Sequence, residues 1–286
     1  WNQANAYHAP FIASGKVAWN PGGEITFRNF LPSSARYGHG EGGAGDPGSR
    51  AIYGGHSHVG AMIYLGSNWP DQYRNQLFTH NLHGHQMNRQ RNVRSGSGYE
   101  TVHAGSDQLF TSDPMFIGVD LKYGPDGAVY MIDWVDQQHC HTTNVEKWDR
   151  SNGRLYRMQW ARSFKPVKVD LRKQSTPDLV ALVTDKDEWY SRMARRLLQE
   201  RGDTGVVQLV DQALSSASET TDVLRLLWAR HLVSGERPPA DLFENAAEEV
   251  RSWAVSLSVE SHSPDSSRLL AMAAKDPSQM VRLSLA

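Results

Sequence analysis

A chain of 286 residues with 39% hydrophobic and 21% charged side chains has room for about two folded domains and is too apolar for a disordered tail. Its net charge of −1 excludes a surface built to neutralise nucleic-acid phosphate. No apolar run approaches the roughly 20 residues that cross a bilayer, and one cysteine, Cys140, rules out an internal disulfide.

The chain starts at Trp1 rather than Met, and residues 280–286 stop within an apolar helical pattern, so a piece of a longer protein is expected. Residue chemistry changes near position 165. Gly, Asn, His and aromatic residues dominate before it; Ala, Leu, Arg and Glu at helical spacing dominate after it, with Lys165-Pro166 as the linker.

Ahead of that linker the same unit is written twice. The earlier copy reads as a strand over 60–64, a turn region through Trp69-Pro70, a strand over 76–81 and a third piece over 86–91. The later copy has a strand over 118–123 and the turn Gly124-Pro125-Asp126-Gly127, where proline presets φ and glycine closes the bend. It returns through 128–134, apolar enough to be buried on both faces, crosses a long polar loop over 135–152, and ends in a strand over 153–158. Repeated antiparallel strands with polar connections predict blades of a β-propeller. A β-sandwich is the rival, but it does not call for the same strand-turn-strand chemistry twice.

Beyond the linker, helix starts can be named. Thr176-Pro177-Asp178, Ser263-Pro264-Asp265 and Asp276-Pro277-Ser278 each place a capping side chain before a proline, and Asp185 with Glu188 reads as a capping box. Trp189, Met193 and Leu197 share one helix face, as do Val250, Trp253, Ala254 and Leu257. Arginines at 192, 225, 251 and 282 recur with uneven spacing, shorter than the roughly 40–47 residues of standard HEAT repeats but with the same helix-pair logic. The expected architecture is therefore multidomain. The C-terminal blades of an incomplete, all-β propeller occupy residues 1–164, and an all-α HEAT-like solenoid occupies 165–286.

Several strings carry a family resemblance: Gly55-His56-Ser57-His58-Val59-Gly60, Trp69-Pro70-Asp71, Leu77-Phe78-Thr79, Asn81-Leu82-His83-Gly84, Arg94-Ser95-Gly96-Ser97-Gly98-Tyr99, Ser112-Asp113-Pro114, Tyr123-Gly124-Pro125-Asp126-Gly127 and Asp133-Trp134. Together they resemble the planctomycete-type membrane-bound dehydrogenase family, whose propeller is similar to that of glucose/sorbosone dehydrogenases. The resemblance is close over about 50–160 and extends through Trp189-Tyr190-Ser191-Arg192-Met193-Ala194-Arg195-Arg196. It implies an exported, periplasmic or secreted oxidoreductase of the sugar or alcohol dehydrogenase kind. It also implies pyrroloquinoline quinone and calcium on the propeller, and electron transfer to a c-type haem domain. No C-x-x-C-H occurs here, so that haem would lie outside this sequence. Ile117 and His85 stand where such relatives usually carry arginine, which favours the alternative of a non-catalytic glycan- or protein-binding scaffold.

Blade topology brings the candidate site residues to one rim. His56 and His58 precede an innermost strand, the segment 81–85 follows a second strand, and 133–141 follows the second strand of the next blade. The candidates for catalysis are His83 and His58, since imidazole titrates near working pH. Those for holding substrate or cofactor are His56, Asn81, Asn88, Asp120 and Asp133. His56 with His58, and the run His139-Cys140-His141, carry metal-ligand chemistry, although they serve equally as loop hydrogen-bonding groups. The expected partners are a small-molecule or glycan substrate at the rim and a protein on the helical surface, with no nucleic acid and no membrane span.

Overall fold

The computed structural model describes residues 58–82, 85–105, 107–136, 151–203, 205–261 and 263–286. Among the described residues two antiparallel sheets come first and seven helices follow. In the first sheet β1 (His58–Ile63), β2 (Gln76–Asn81) and β3 (Gln86–Ser95) pair in order. The outer side of β3 is shared by β4 (Gly98–His103) and the two-residue β5 (Leu109–Phe110). The second sheet is β6 (Gly118–Tyr123), β7 (Val129–Asp133) and β8 (Arg154–Met158).

All six strands expected from the sequence are present, with the first beginning at His58 rather than Gly60. The third piece, expected to end at Arg91, runs four residues further as β3 and turns into β4. The turn before β7 forms as its chemistry requires. Gly127 sits at φ +69°, and Asp126 Oδ1 accepts from Ala128 N at 3.1 Å.

The sheets pack on each other through β1 and β2 against β6. Met62, Tyr64, Phe78 and Met87 from the first meet Leu121, Tyr123, Val129 and Met131 from the second, with Trp69 closing one end. Alternation along β2 and β3 sends Phe78, His80 and Met87 into this seam, and turns Thr79, Asn81, Gln86 and Asn88 to the opposite face. The far face of the second sheet is open and carries an apolar patch at one end, with Lys122 and Arg157 exposed towards the other. Ile132 and Leu155 are register partners, 50% and 70% exposed, and Trp134 beside them is 43% exposed.

The helices are α1 (Thr176–Leu182), α2 (Glu188–Arg201), α3 (Val206–Ser216), α4 (Thr220–Ser234), α5 (Glu248–Glu260), α6 (Ser266–Lys275) and α7 (Gln279–Leu285). They form two layers: α2, α4, α5 and α7 pack successively in one, and α1 lies on α3 in the other. A 3-10 turn, Ala240–Glu244, precedes α5 and packs on it. Leu179, Val180, Leu198, Val210, Leu226, Leu227, Val250 and Ala254 fill the core between the layers. Arg192, Arg225, Arg251 and Arg282 fall one on each helix of the first layer. The shortest interval, 225 to 251, spans the segment that holds the 3-10 turn.

Several helix starts differ from those expected. Ser175 caps α1, one residue ahead of Thr176, so Pro177 is the second helical residue. Asp187, not Asp185, caps α2 by accepting from Trp189 N; Asp185 Oδ1 instead accepts from Asp187 N at 2.7 Å. Asp265 caps α6 and Ser278 caps α7, so Pro264 and Pro277 precede the caps rather than follow them. In each case the cap is the side chain that reaches the second or third amide of its helix. Trp253 also departs from its expected inward face: it is 42% exposed and stacks edge-on with Trp228 at 5.1 Å, while Val250, Ala254 and Leu257 point inward.

Helices and sheets join at one end. Glu188 N donates to Leu65 O at 3.1 Å, Ser67 Oγ donates to Asp187 Oδ2 at 2.7 Å, and Tyr190 Oη donates to Pro125 O at 3.1 Å. Trp189 touches both cores. The β3–β4 hairpin reaches further, with Arg94 Nη2 donating to Glu248 Oε1 at 3.1 Å on α5. The opposite end of the sheets holds the beginning of β1 and β6 and the end of β2 and β7.

Candidate functional site

Strand register gathers polar side chains at that opposite end. His58 opens β1 and pairs with Asn81 at the end of β2, and Asn81 pairs with Gln86 at the start of β3. In the second sheet Gly118 pairs with Asp133, and Asp133 with Arg154. The two rows are neighbours because β1 and β2 pack on β6.

His58 Nε2 lies 3.0 Å from Asn88 Oδ1, and the amide oxygen accepts. Burial drives the pKa of His58 down to about 4, with the Asn88 bond acting weakly the other way. The imidazole is therefore neutral at neutral pH. Asn88 is fully buried, and its amide nitrogen has no hydrogen-bond partner among the described residues.

Asp133 is fully buried on the second sheet. Its Oδ1 accepts from Ile117 N at 2.7 Å and Val135 N at 3.0 Å, and its Oδ2 from Arg154 Nε at 2.8 Å. Arg154 Nη1 continues to Asp113 Oδ2 at 2.7 Å, and Asp113 Oδ1 accepts from Met115 N at 2.9 Å. Those two interactions hold the Asp113 carboxyl below its usual range, the backbone N–H first and the guanidinium second. Val135, held by Asp133, sits at φ +62°, a costly conformation for a β-branched residue. His85, also at positive φ, donates from Nδ1 to Phe116 O at 2.6 Å and so ties the end of the first sheet to the entry of the second.

Residues 36–162 match the model of a family described as Domain of unknown function (DUF7133). The match takes in all eight strands and stops ahead of the helices. No curated protein and no solved structure matches the chain.

Of the residues singled out in the sequence, His58, Asn81, Asn88 and Asp133 come to this end of the sheets. Asp120 belongs to β6, where its Oδ1 accepts from its neighbour Leu121 N and its Oδ2 lies 3.2 Å from Lys122 Nζ. His56, His83, His139, Cys140 and His141 lie outside the described residues. Among the described residues no group of three or more His, Cys, Asp or Glu is placed to hold a metal.

Sequence reasoning missed His80, Arg154 and the bridging role of Asp113. The only signal for the last was the string Ser112-Asp113-Pro114.

An anionic quinone with calcium, implied by the resemblance, needs free cations for its carboxylates and a free carboxylate for the metal. The described residues of this end do not fit that demand. Arg154 is shared between Asp113 and Asp133, and Asp133 is already met by two N–H groups and a guanidinium.

The larger surface depression lies elsewhere, about 590 Å³ between the Ala240–Glu244 turn and α6, bordered by Phe243, Arg268, Met272 and Lys275. No helix among the described residues is long and apolar enough to cross a membrane.

Proposed function

We infer that the two sheets are neighbouring blades of a β-propeller, that the paired helices are a HEAT-like solenoid, and that the polar end of the blades is a non-catalytic binding site for a neutral, hydrogen-bonding ligand of the glycan class. The solenoid would offer its surface to a protein partner. The reading includes an exported location, which rests on the family resemblance alone.

The exposed apolar patch on the far face of the second sheet supports the propeller over the sandwich. Two facing sheets turn polar residues outward, whereas a blade is covered on both faces. Ile132, Trp134 and Leu155 are the side chains such a neighbour would cover.

One observation carries the functional reading: the described groups at the polar end are mainly neutral, and the charges of Arg154, Asp113 and Asp133 compensate one another. His58 is uncharged, Asn81 and Asn88 are amides, and Arg154 is balanced by two aspartates. Neutral donors and acceptors recognise hydroxyl-rich ligands, and among the described residues the only base they leave for proton removal is the weakly basic His58.

The test is a glycan array followed by calorimetry on the purified chain, with Asn81→Ala and His58→Ala as comparisons. Binding that both variants weaken at least tenfold is expected. Quinone- and calcium-dependent oxidation of a sugar or alcohol, lost in the same variants, would end this reading.

A second reading, an oxidoreductase-like propeller passing electrons to a c-type haem domain outside this sequence, is favoured by one feature. His58 is kept deprotonated at neutral pH, as a proton acceptor must be, although a group titrating near 4 is a weak base. A C-x-x-C-H in the adjoining stretch of the gene together with that turnover would establish it.

A further inference from the structure

We propose that His80 makes the seam between the two sheets a pH-operated joint, in which protonation of the buried imidazole parts the β6–β8 sheet from the β1–β5 sheet. The inference is independent of what the polar end binds.

His80 projects from β2 into the seam and is fully buried. Its ring lies against the backbone of Gly118 at the start of β6: a Cβ built on that glycine would stand 2.6 Å from His80 Cγ and 2.7 Å from Cε1. Phe116 covers the ring edge-on, 6.0 Å away between centroids. Neither ring nitrogen has a hydrogen-bond partner that meets ordinary geometry among the described residues. A neutral imidazole tolerates this place as a flat, largely apolar plate. A cation does not, because an unpaired charge in a dry seam costs several kcal/mol.

Desolvation dominates these surroundings; the backbone carbonyl of Asp120 favours the charged ring next, without meeting ordinary hydrogen-bond geometry. On the first sheet the cross-strand neighbours of His80 are Val59 on β1 and Met87 on β3. From the second sheet two carboxylates act on the ring. Asp120 on β6 is engaged with Leu121 N and Lys122 Nζ, and Asp133 on β7 with Ile117 N, Val135 N and Arg154 of β8. Both favour the charged ring, yet desolvation outweighs them and holds the pKa at about 4. The ring is therefore charged in the opened form at pH values where the closed form keeps it neutral, and acid favours opening. The seam is held besides by one continuous apolar cluster, so the joint works as the difference between that cluster and one titrating group.

The experiment follows the ring and the seam separately in the full chain. Histidine ring resonances give the titration of His80. Amide hydrogen exchange of β2 and β6, corrected for intrinsic chemistry, gives the opening equilibrium from pH 7 to pH 4. The wild type is expected to open about tenfold more per pH unit between 6.5 and about 4. His80→Phe should abolish that slope and His58→Gln should retain it. An equal slope in His80→Phe, or full seam protection down to pH 4, overturns the proposal. If His80→Phe does not fold, the wild type decides alone: a ring that titrates near 6.5 while β2 and β6 stay protected is equally fatal.

Discussion

Asp187 accepts the hydroxyl of Ser67 through Oδ2 while its Oδ1 caps the first turn of α2 at Trp189 N. One carboxylate thus starts a helix and fastens it to the loop after β1. Replacing it with alanine should cost about 1–2 kcal/mol from the cap, with a further loss from the broken link. Burial raises the pKa of this carboxyl. A group raised in the folded state loses stability as pH climbs through its titration, so Asp187→Asn should cost less than Asp187→Ala at pH 7. Urea denaturation of both variants measures the difference.

Gly118→Ala tests the close approach at the seam. Its methyl would overlap the His80 ring, whose other side is closed by the packed core. The expected loss is about 1–3 kcal/mol, the range of overpacked interiors. His80→Ala in the same chain should recover part of it. Thermal melts of the two single variants and the double give the coupling.

Arg154→Met leaves the fully buried Asp133 carboxylate with its two backbone donors and no cation. A destabilisation of about 3 kcal/mol is expected, the scale of a buried pair that has lost one partner. Asp133→Asn added to it should be less damaging than the sum of the single changes. Chemical denaturation at pH 7 on the full cycle reads this directly.

Glu188 stands between two buried guanidinium groups, with that of the more exposed Arg192 a third at 3.7 Å. Arg195 Nη2 lies 2.7 Å from Oε1, and Arg225 Nη2 lies 2.7 Å from Oε2, all three side chains being largely buried. Glu188→Gln should cost about 3–5 kcal/mol, because two cations then face each other without their shared anion. A loss below about 1 kcal/mol, read from denaturation midpoints, would show instead that the pair is solvated.

Asn88→Asp sets a carboxylate beside His58 Nε2 and should move that ring's titration upward from about 4. In the wild type the depressed value means that stability is full above about 6.5 and falls as pH drops toward 4. The variant should lose less stability than the wild type between pH 7.5 and pH 5. Ring resonances and denaturation at the two pH values check the shift and its consequence.

The legible features of the fold are those that local chemistry decides. Gly124-Pro125-Asp126-Gly127 announces its turn within four residues, and the strands beside it follow from alternation. The strand β4 escapes such reading although Gly96 and Gly98 mark its hairpin, since Gly98–His103 is an outer strand with little apolar pattern to betray it. Caps are displaced by one or two residues from their expected places because several acceptors crowd each helix start and only geometry selects among them.

At the candidate site the convergence of His58, Asn81 and Asp133 is readable from strand order. Their partners are not. Arg154 meets Asp133 and Asp113 from 21 and 41 positions away, and no periodicity encodes such pairs. The need of His80 for a glycine 38 positions later is equally invisible in one sequence.

The reach of the β3–β4 hairpin onto α5 sets an order of assembly. Arg94 meets Glu248 across 154 positions, and Gly96 stands against Gln279 of α7. A growing chain therefore releases its first sheet long before the surface that receives the hairpin exists. Docking waits on the last helices, and late arrival of such distant contacts makes for slow folding. During synthesis the hairpin tip, with Arg94 and Gly96 on it, lacks these partners until the ribosome has passed the far end of the helical layer.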